Sequence, residues 1–192
     1  MENHPTELKA CDRDFIVALH EAGHAVACHR LGVPYRQVSI EAQSGAGVQT
    51  EVVARPVQGA TGAAEYALQL ETYAARCRAQ VIVAFAGRIA EVRAAQCGLT
   101  AAVGLSSGRK DERDAQFFAR EMLQARSDIA SAQGEPEVHI EELPRMLVAE
   151  LGVLRRESEA LFGADFAAIE KVARRLVEAG RLTCEDVKSM MT

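Results

Sequence analysis

Apolar residues recur at helical spacing along most of the chain and predict a mainly helical protein. The first such stretch starts near Asp12 or Asp14, either of which can cap a helix. It runs to about Leu31, because Gly32 and Pro34 are typical of a helix end.

Only one region carries the alternating, β-branched pattern typical of strands. The segments "YRQVSIEA" (35–42) and "GVQTEVVAR" (47–55) predict a hairpin or two short strands around the intervening "QSGAG". The strand within "RQVSIEA" could present an edge to which an extended peptide adds, or it could merely close the core. The sequence leaves both alternatives open.

The remaining elements are predicted to be helices. A long helical pattern covers about 61–96, is apolar all round in its middle, and should break or bend near Gly87. A helix with an acidic start begins near Asp111, and three more are expected near 138–161, 165–179 and 184–191. The predicted fold class is therefore mainly α, with a small β-hairpin or short sheet after the first helix.

The composition disfavours several classes of function. A chain of 192 residues with 48% hydrophobic residues is long enough for one globular domain. Its net charge of −5 and the lack of a basic block disfavour nucleic acid. The apolar run "VIVAFAG" is much shorter than the ~20 residues of a membrane helix. Five scattered cysteines without a C-x-x-C pair, and no signal-peptide pattern, favour a reduced cytoplasmic compartment.

The candidate chemistry lies in "LHEAGHA", on the first predicted helix. His20 and His24 are four residues apart, so their imidazoles project from one helix face and can bind one metal ion. Glu21 lies about 100° further round the helix, where it can act as general base on zinc-bound water. The alternative is a surface helix with incidental histidines. The small residues Ala22 and Gly23 predict that another element packs closely here.

The pair leaves a catalytic zinc site incomplete, because such a site normally has three protein ligands. The short extension H-x-x-G-x-x-H is absent after His24, and His29 falls at i+5, turned away from the ligand face. We expect His4, His29 and His139 to be solvated or locally bonded rather than ligands.

Four segments resemble, in their order, the zinc-peptidase domain of FtsH-type AAA proteases. They are "ALHEAGHAVACHRLG", "PYRQVSIEA", "AFAGRIAEVRAAQCG" and "SSGRKDERDAQFFAREML", and the tail "IEKVARRLVEAGRLTCEDV" is similar to the family's closing helices. The resemblance implies a zinc-dependent endopeptidase that cuts peptides or unfolded polypeptides. It also implies that the two histidines bind the metal, that Glu21 is the catalytic base and that an aspartate completes the site.

That aspartate falls in an acidic stretch where Asp111, Glu112 and Asp114 compete. In the family the aspartate lies four positions after the loop glycine, and counting from Gly108 this position is Glu112. Aligning "AQFFARE" with the family's helix selects Asp111 and shortens the loop by one residue. We prefer Asp111, since helical register is harder to shift than loop length.

Glu91 of "AGRIAE" is the alternative third ligand, because a downstream helical glutamate has that role in another class of H-E-x-x-H peptidases. Its other expected role is to support a neighbouring residue without binding the metal. In that role it would accept a hydrogen bond from a ligand histidine, or pair with Arg88 or Arg93.

The family's full-length members also carry a membrane anchor and an ATPase, and this chain has no G-x-x-x-x-G-K-[ST] loop. We expect an enzyme that acts on unfolded segments without an ATPase of its own, with an ATPase partner in trans and a homo-oligomer as open alternatives. Residues 1–192 are predicted to form one zinc-peptidase domain, with a catalytic part (1–132) and a C-terminal helical part (133–192). Two other functions stay open: a non-catalytic zinc-bearing binding or regulatory module, and a cysteine hydrolase that uses Cys28.

Overall fold

The computed structural model describes residues 10–41, 47–51, 53–57, 62–100, 108–135 and 141–191. These residues are mainly helical, as the sequence pattern predicts. Six helices lie within them: α1 (Ala10–Leu31), α2 (Ala63–Gln96), α3 (Gly108–Ala132), α4 (Leu143–Ala164), α5 (Phe166–Ala179) and α6 (Cys184–Met190). None of the described helices combines the length and apolar character needed to cross a membrane.

A small antiparallel sheet accompanies the helices. Its strands are β1 (Tyr35–Ser39), β2 (Gly47–Thr50) and β3 (Arg181–Thr183), in the order β2-β1-β3. The predicted hairpin of β1 and β2 is confirmed. The third strand was not predicted, because three residues are too few to show an alternating pattern.

The position of β1 corrects one expectation. It pairs with β2 on one side and with β3 on the other, so both edges of "RQVSIEA" are occupied at Val38 and Ser39. One outer edge of the described sheet belongs instead to β2. If a peptide adds to this sheet on the hairpin side, it must pair with β2.

Two further expectations about helices are wrong. Asp12 and Asp14 lie inside α1 rather than at its start, since α1 already includes Ala10, a strong helix former. The expected break near Gly87 is also absent, because α2 is continuous from Ala63 to Gln96. The helix is buried all round from residue 80 to residue 87. Packing there outweighs the ~1 kcal/mol that glycine costs in a helix interior.

Helices α1 and α2 are at the centre of the molecule. Helix α1 packs against both α2 and α5, and α2 packs against α3 and α4. The buried apolar residues form one cluster, and its largest members include Leu19, Leu70, Ile82, Met122 and Phe162. Elements from both predicted parts of the chain therefore share one core.

The contact between α1 and α2 is unusually close at Gly23. A methyl group at this position would lie 2.7 Å from the carbonyl oxygen of Ala86 and 3.0 Å from Cβ of Ala90. This confirms the prediction that the small residues of "HEAGHA" admit a closely packed neighbour. Backbone oxygen cannot move aside as a side chain can, so glycine is required here.

We predict that Gly23→Ala destabilises the protein, because the added methyl group must push α2 away from α1. The expected loss in the free energy of unfolding is about 1 to 3 kcal/mol, measured by urea denaturation. Gly163→Ala in α4 is the matched control, since a methyl group there meets nothing within 4 Å. It should be neutral or stabilise by up to about 1 kcal/mol, and equal effects of the two changes would contradict the prediction.

Candidate metal centre

The two histidines of α1 face each other in the core. Their rings are nearly perpendicular, with centroids 4.7 Å apart, and their Nε2 atoms are 3.0 Å apart. Each Nδ1 is held from α2: that of His20 donates to Oε1 of Glu91 at 2.7 Å, and that of His24 donates to the carbonyl oxygen of Val83 at 2.7 Å. With the proton on Nδ1, both Nε2 atoms carry a lone pair into the same small space.

Asp111 completes this arrangement from the first turn of α3. Its Oδ2 lies 3.0 Å from Nε2 of His20 and 3.6 Å from Nε2 of His24. The carboxylate is 15% exposed, and its Oδ2 has no hydrogen-bond donor among the described residues. The two nitrogens and this oxygen thus form a triangle of three electron-rich atoms.

The triangle has the dimensions of a zinc site. Ligand atoms about 2.0 to 2.1 Å from a tetrahedral ion are ~3.3 Å from one another, and the three observed separations of 3.0, 3.0 and 3.6 Å lie around that value. A divalent cation placed among three such atoms would attract all of them. The residues present therefore fit a divalent metal ion.

The surroundings stabilise positive charge at this point. Burial by itself lowers the pKa of His20, but the adjacent carboxylates of Asp111 and Glu91 raise it to about 9. Burial would raise the pKa of Asp111, yet the two imidazoles hold that pKa well below its usual range. A metal cation in place of the proton on His20 would gain the same attraction, so proton and metal compete for the site.

Glu21 lies beside the triangle and is not part of it. The carboxylate is buried, and burial raises its pKa while the nearby histidines oppose the shift. Its Oε2 would be 3.8 Å from a Cβ at Gly47, so it borders the first residue of β2. A buried carboxylate of raised pKa is suited to accept a proton near neutral pH.

Glu91 occupies the outer position that the sequence analysis gave as its other role. It accepts from Nδ1 of His20, on the side of the ring opposite the shared Nε2 space, and its Oε2 accepts from Arg88 at 3.0 Å. Such a contact orients a ligand histidine rather than binding the metal. The geometry therefore favours Asp111 over Glu91 as the third ligand.

The other candidates lie elsewhere. Glu112 is exposed, and Asp114 pairs with Lys110 at 3.4 Å on the surface of α3. His29 is half-buried near the end of α1, outside the triangle. Both His4 and His139 fall outside the described residues.

Gly87 belongs to the site, although sequence analysis considered it only as a helix break. A Cβ at this position would lie 2.7 Å from Nε2 of His20 and 2.7 Å from Nε2 of His24. Glycine thus leaves open the space where the lone pairs meet. The signal that could have revealed this was its place in "AGRIAE", one turn before Glu91.

Comparison with known proteins adds no family assignment. No protein-family model matches the chain, and no curated protein matches it either. The function therefore has to be argued from the geometry of the site.

We predict that Gly87→Ala removes metal binding while the helical fold persists, because the methyl group competes with the ion for the space between the imidazoles. Zinc affinity should fall by at least about tenfold in a chelator competition assay, with an unchanged far-UV circular dichroism spectrum. Wild-type zinc affinity in this variant would show that the ion, if bound, lies elsewhere.

Asp111 and Glu91 should differ in their effect on metal content. We expect Asp111→Ala to lower the bound zinc well below that of the wild type, because a direct ligand is lost. Glu91→Gln should retain zinc, since an amide oxygen still accepts from Nδ1 of His20. Elemental analysis of the purified variants tests this, with Asp114→Ala as the matched control on α3. Zinc retained by Asp111→Ala but lost from Glu91→Gln would reverse the assignment.

Proposed function

We propose that this protein is a zinc-dependent endopeptidase that hydrolyses peptide bonds in peptides or unfolded polypeptides. One observation carries the proposal: two imidazole nitrogens and the Asp111 carboxylate converge on a space of zinc-site dimensions, with the Glu21 carboxylate directly beside it. A structural zinc site has no need of a buried base and usually has four protein ligands. The donor set thus supports a hydrolytic site over a structural one.

In this proposal His20, His24 and Asp111 hold the metal, and Glu91 and the Val83 carbonyl fix the two ring orientations. Zinc, when bound, supplies a Lewis acid that polarises the scissile carbonyl and acidifies water. Glu21 accepts the proton from the attacking water and returns it to the leaving amine. Its raised pKa makes the carboxylate a stronger base for the first of these transfers.

The sheet supports a substrate in extended form. Strand β2 forms an outer edge of the described sheet, and its first residue, Gly47, borders Glu21. A peptide that added to this edge would be held by main-chain hydrogen bonds close to the general base. Such recognition is insensitive to side-chain identity and is suited to unfolded polypeptides.

The other functions receive less support. Cys28 is fully buried, and burial raises the pKa of its thiol to about 12, which disfavours a thiolate nucleophile. A zinc-bearing binding module would leave the buried Glu21 without a role. The resemblance to FtsH-type peptidase domains agrees with the proposed hydrolase. A cytoplasmic location and action on unfolded substrates remain part of the proposal.

The purified protein should contain about one equivalent of zinc and cleave an unfolded protein such as casein. Glu21→Gln should keep the zinc and lose cleavage by at least about 100-fold, because the proton acceptor is removed while the ligands stay. Elemental analysis and release of labelled peptides measure the two properties.

Asp14→Asn, an exposed change on the same helix, is the matched control and should keep both zinc and activity. Cleavage by Glu21→Gln at the wild-type rate would contradict the mechanism. A wild-type protein that binds zinc and cleaves neither casein nor short peptides would favour the binding module.

A further inference from the structure

Arg55 anchors the segment that follows β2. Its Nη1 donates to Oε2 of Glu121 at 3.1 Å, and its Nη2 donates to Oδ2 of Asp128 at 2.6 Å. The three side chains are only partly exposed, at 31%, 24% and 31%. A guanidinium shared between two half-buried carboxylates forms stronger hydrogen bonds than an exposed ion pair does.

Two further side chains support this anchor. The Arg55 guanidinium carbon lies 6.0 Å from the centroid of the Tyr73 ring, whose hydroxyl donates to the same Oε2 of Glu121 at 2.7 Å. Gln124 donates to the second oxygen of Asp128 at 2.9 Å. Burial and the hydrogen bond to Glu121 raise the pKa of Tyr73, so its hydroxyl keeps its proton and remains a donor. Each carboxylate is therefore fixed from two directions.

The anchor connects two elements of the proposed active centre. Strand β2 is attached to the sheet at the strand's C-terminal end, where the amide of Glu51 donates to the carbonyl oxygen of Pro34 at 3.3 Å. Four residues later Arg55 ties the same chain to α3, the helix whose first turn carries Asp111. The strand that borders Glu21 is thereby joined to the helix that supplies the third ligand.

A strand of four residues paired on one side has few hydrogen bonds of its own to fix its position. An added peptide would be aligned with the metal only if the outer edge of β2 is held at a constant distance from it. The attachments of β2 to β1 set its register within the sheet. The attachment through Arg55 sets its position relative to α2 and α3.

We propose that Arg55 is a positioning residue. By joining the chain after β2 to Glu121 and Asp128, it holds the outer edge of β2 at the place where an extended substrate meets Glu21 and the metal. The inference rests on the proposed function for its kinetic consequence. The anchoring itself does not depend on catalysis.

The test compares Arg55→Met with Arg126→Met in the full-length protein. The first change keeps an apolar stem and removes the guanidinium. The second removes a single ion pair elsewhere on α3, in which Nη1 of Arg126 donates to Oε1 of Glu150 of α4 at 3.0 Å. Three quantities are measured: amide hydrogen exchange of residues 47–51, KM and kcat for an unfolded peptide, and binding of that peptide to the zinc-loaded Glu21→Gln protein.

Arg55→Met should speed exchange at residues 47–51 and raise KM about fivefold or more, with kcat changed less than about twofold. Peptide binding in the Glu21→Gln background should weaken by the same factor as KM rises. Arg126→Met should leave all three quantities unchanged. Arg55→Lys should give values between those of Arg55→Met and the wild type, because one ammonium group binds only one carboxylate well at a time.

The outcomes separate the two proposals. If the wild type cleaves peptide and Arg55→Met matches Arg126→Met in exchange and KM, the positioning role is wrong and the endopeptidase stands. If the wild type cleaves nothing, the endopeptidase fails. In that case faster exchange and weaker peptide binding in Arg55→Met still support the positioning role, and unchanged values overturn it.

Discussion

The close approach of α1 to α2 is the constraint on which the rest of the structure depends. At Gly23 the backbone of α2 comes so near that a single methyl group would meet the carbonyl oxygen of Ala86. The next residue of α2, Gly87, lies against the shared space of the two imidazoles. A wider separation would move Val83 and Glu91 out of reach of the histidine Nδ1 atoms. The same contact therefore builds the core and orients the candidate ligands.

Burying so many polar groups is costly unless each has a partner, and the arrangement meets this condition. His20, Glu21, His24 and Glu91 are all among the buried residues. Acceptors on α2 satisfy the outer nitrogens of both imidazoles, and Arg88 extends the network to the surface. The exception is Oδ2 of Asp111, which has no hydrogen-bond donor among the described residues and lies where a cation fits. The polar interior thus points to function rather than to stability alone.

Local spacing made much of this predictable. The i, i+4 relation between His20 and His24 placed both rings on one helix face, because helical periodicity fixes that direction without reference to the rest of the chain. The ends of the longer helices and the β1–β2 hairpin followed from periodicity and turn residues in the same way. The continuity of α2 at Gly87 and the three-residue strand β3 did not. Both depend on neighbours distant in sequence, whose packing outweighs weak local preferences.

By itself, then, the sequence determined the helical class of the fold, the paired histidines and Glu21, since these depend on residues within one or two helical turns. Only the tertiary structure distinguishes Asp111 from Glu91 as the candidate third ligand, because both are acidic residues at plausible distances along the chain. Their difference is one of direction: Asp111 approaches the inner Nε2 atoms from α3, whereas Glu91 approaches the outer Nδ1 of His20 from α2. The need for glycine at position 87 and the tie from Arg55 to Glu121 and Asp128 were likewise decided by packing. Long-range contacts of this kind leave no periodic trace in a single sequence.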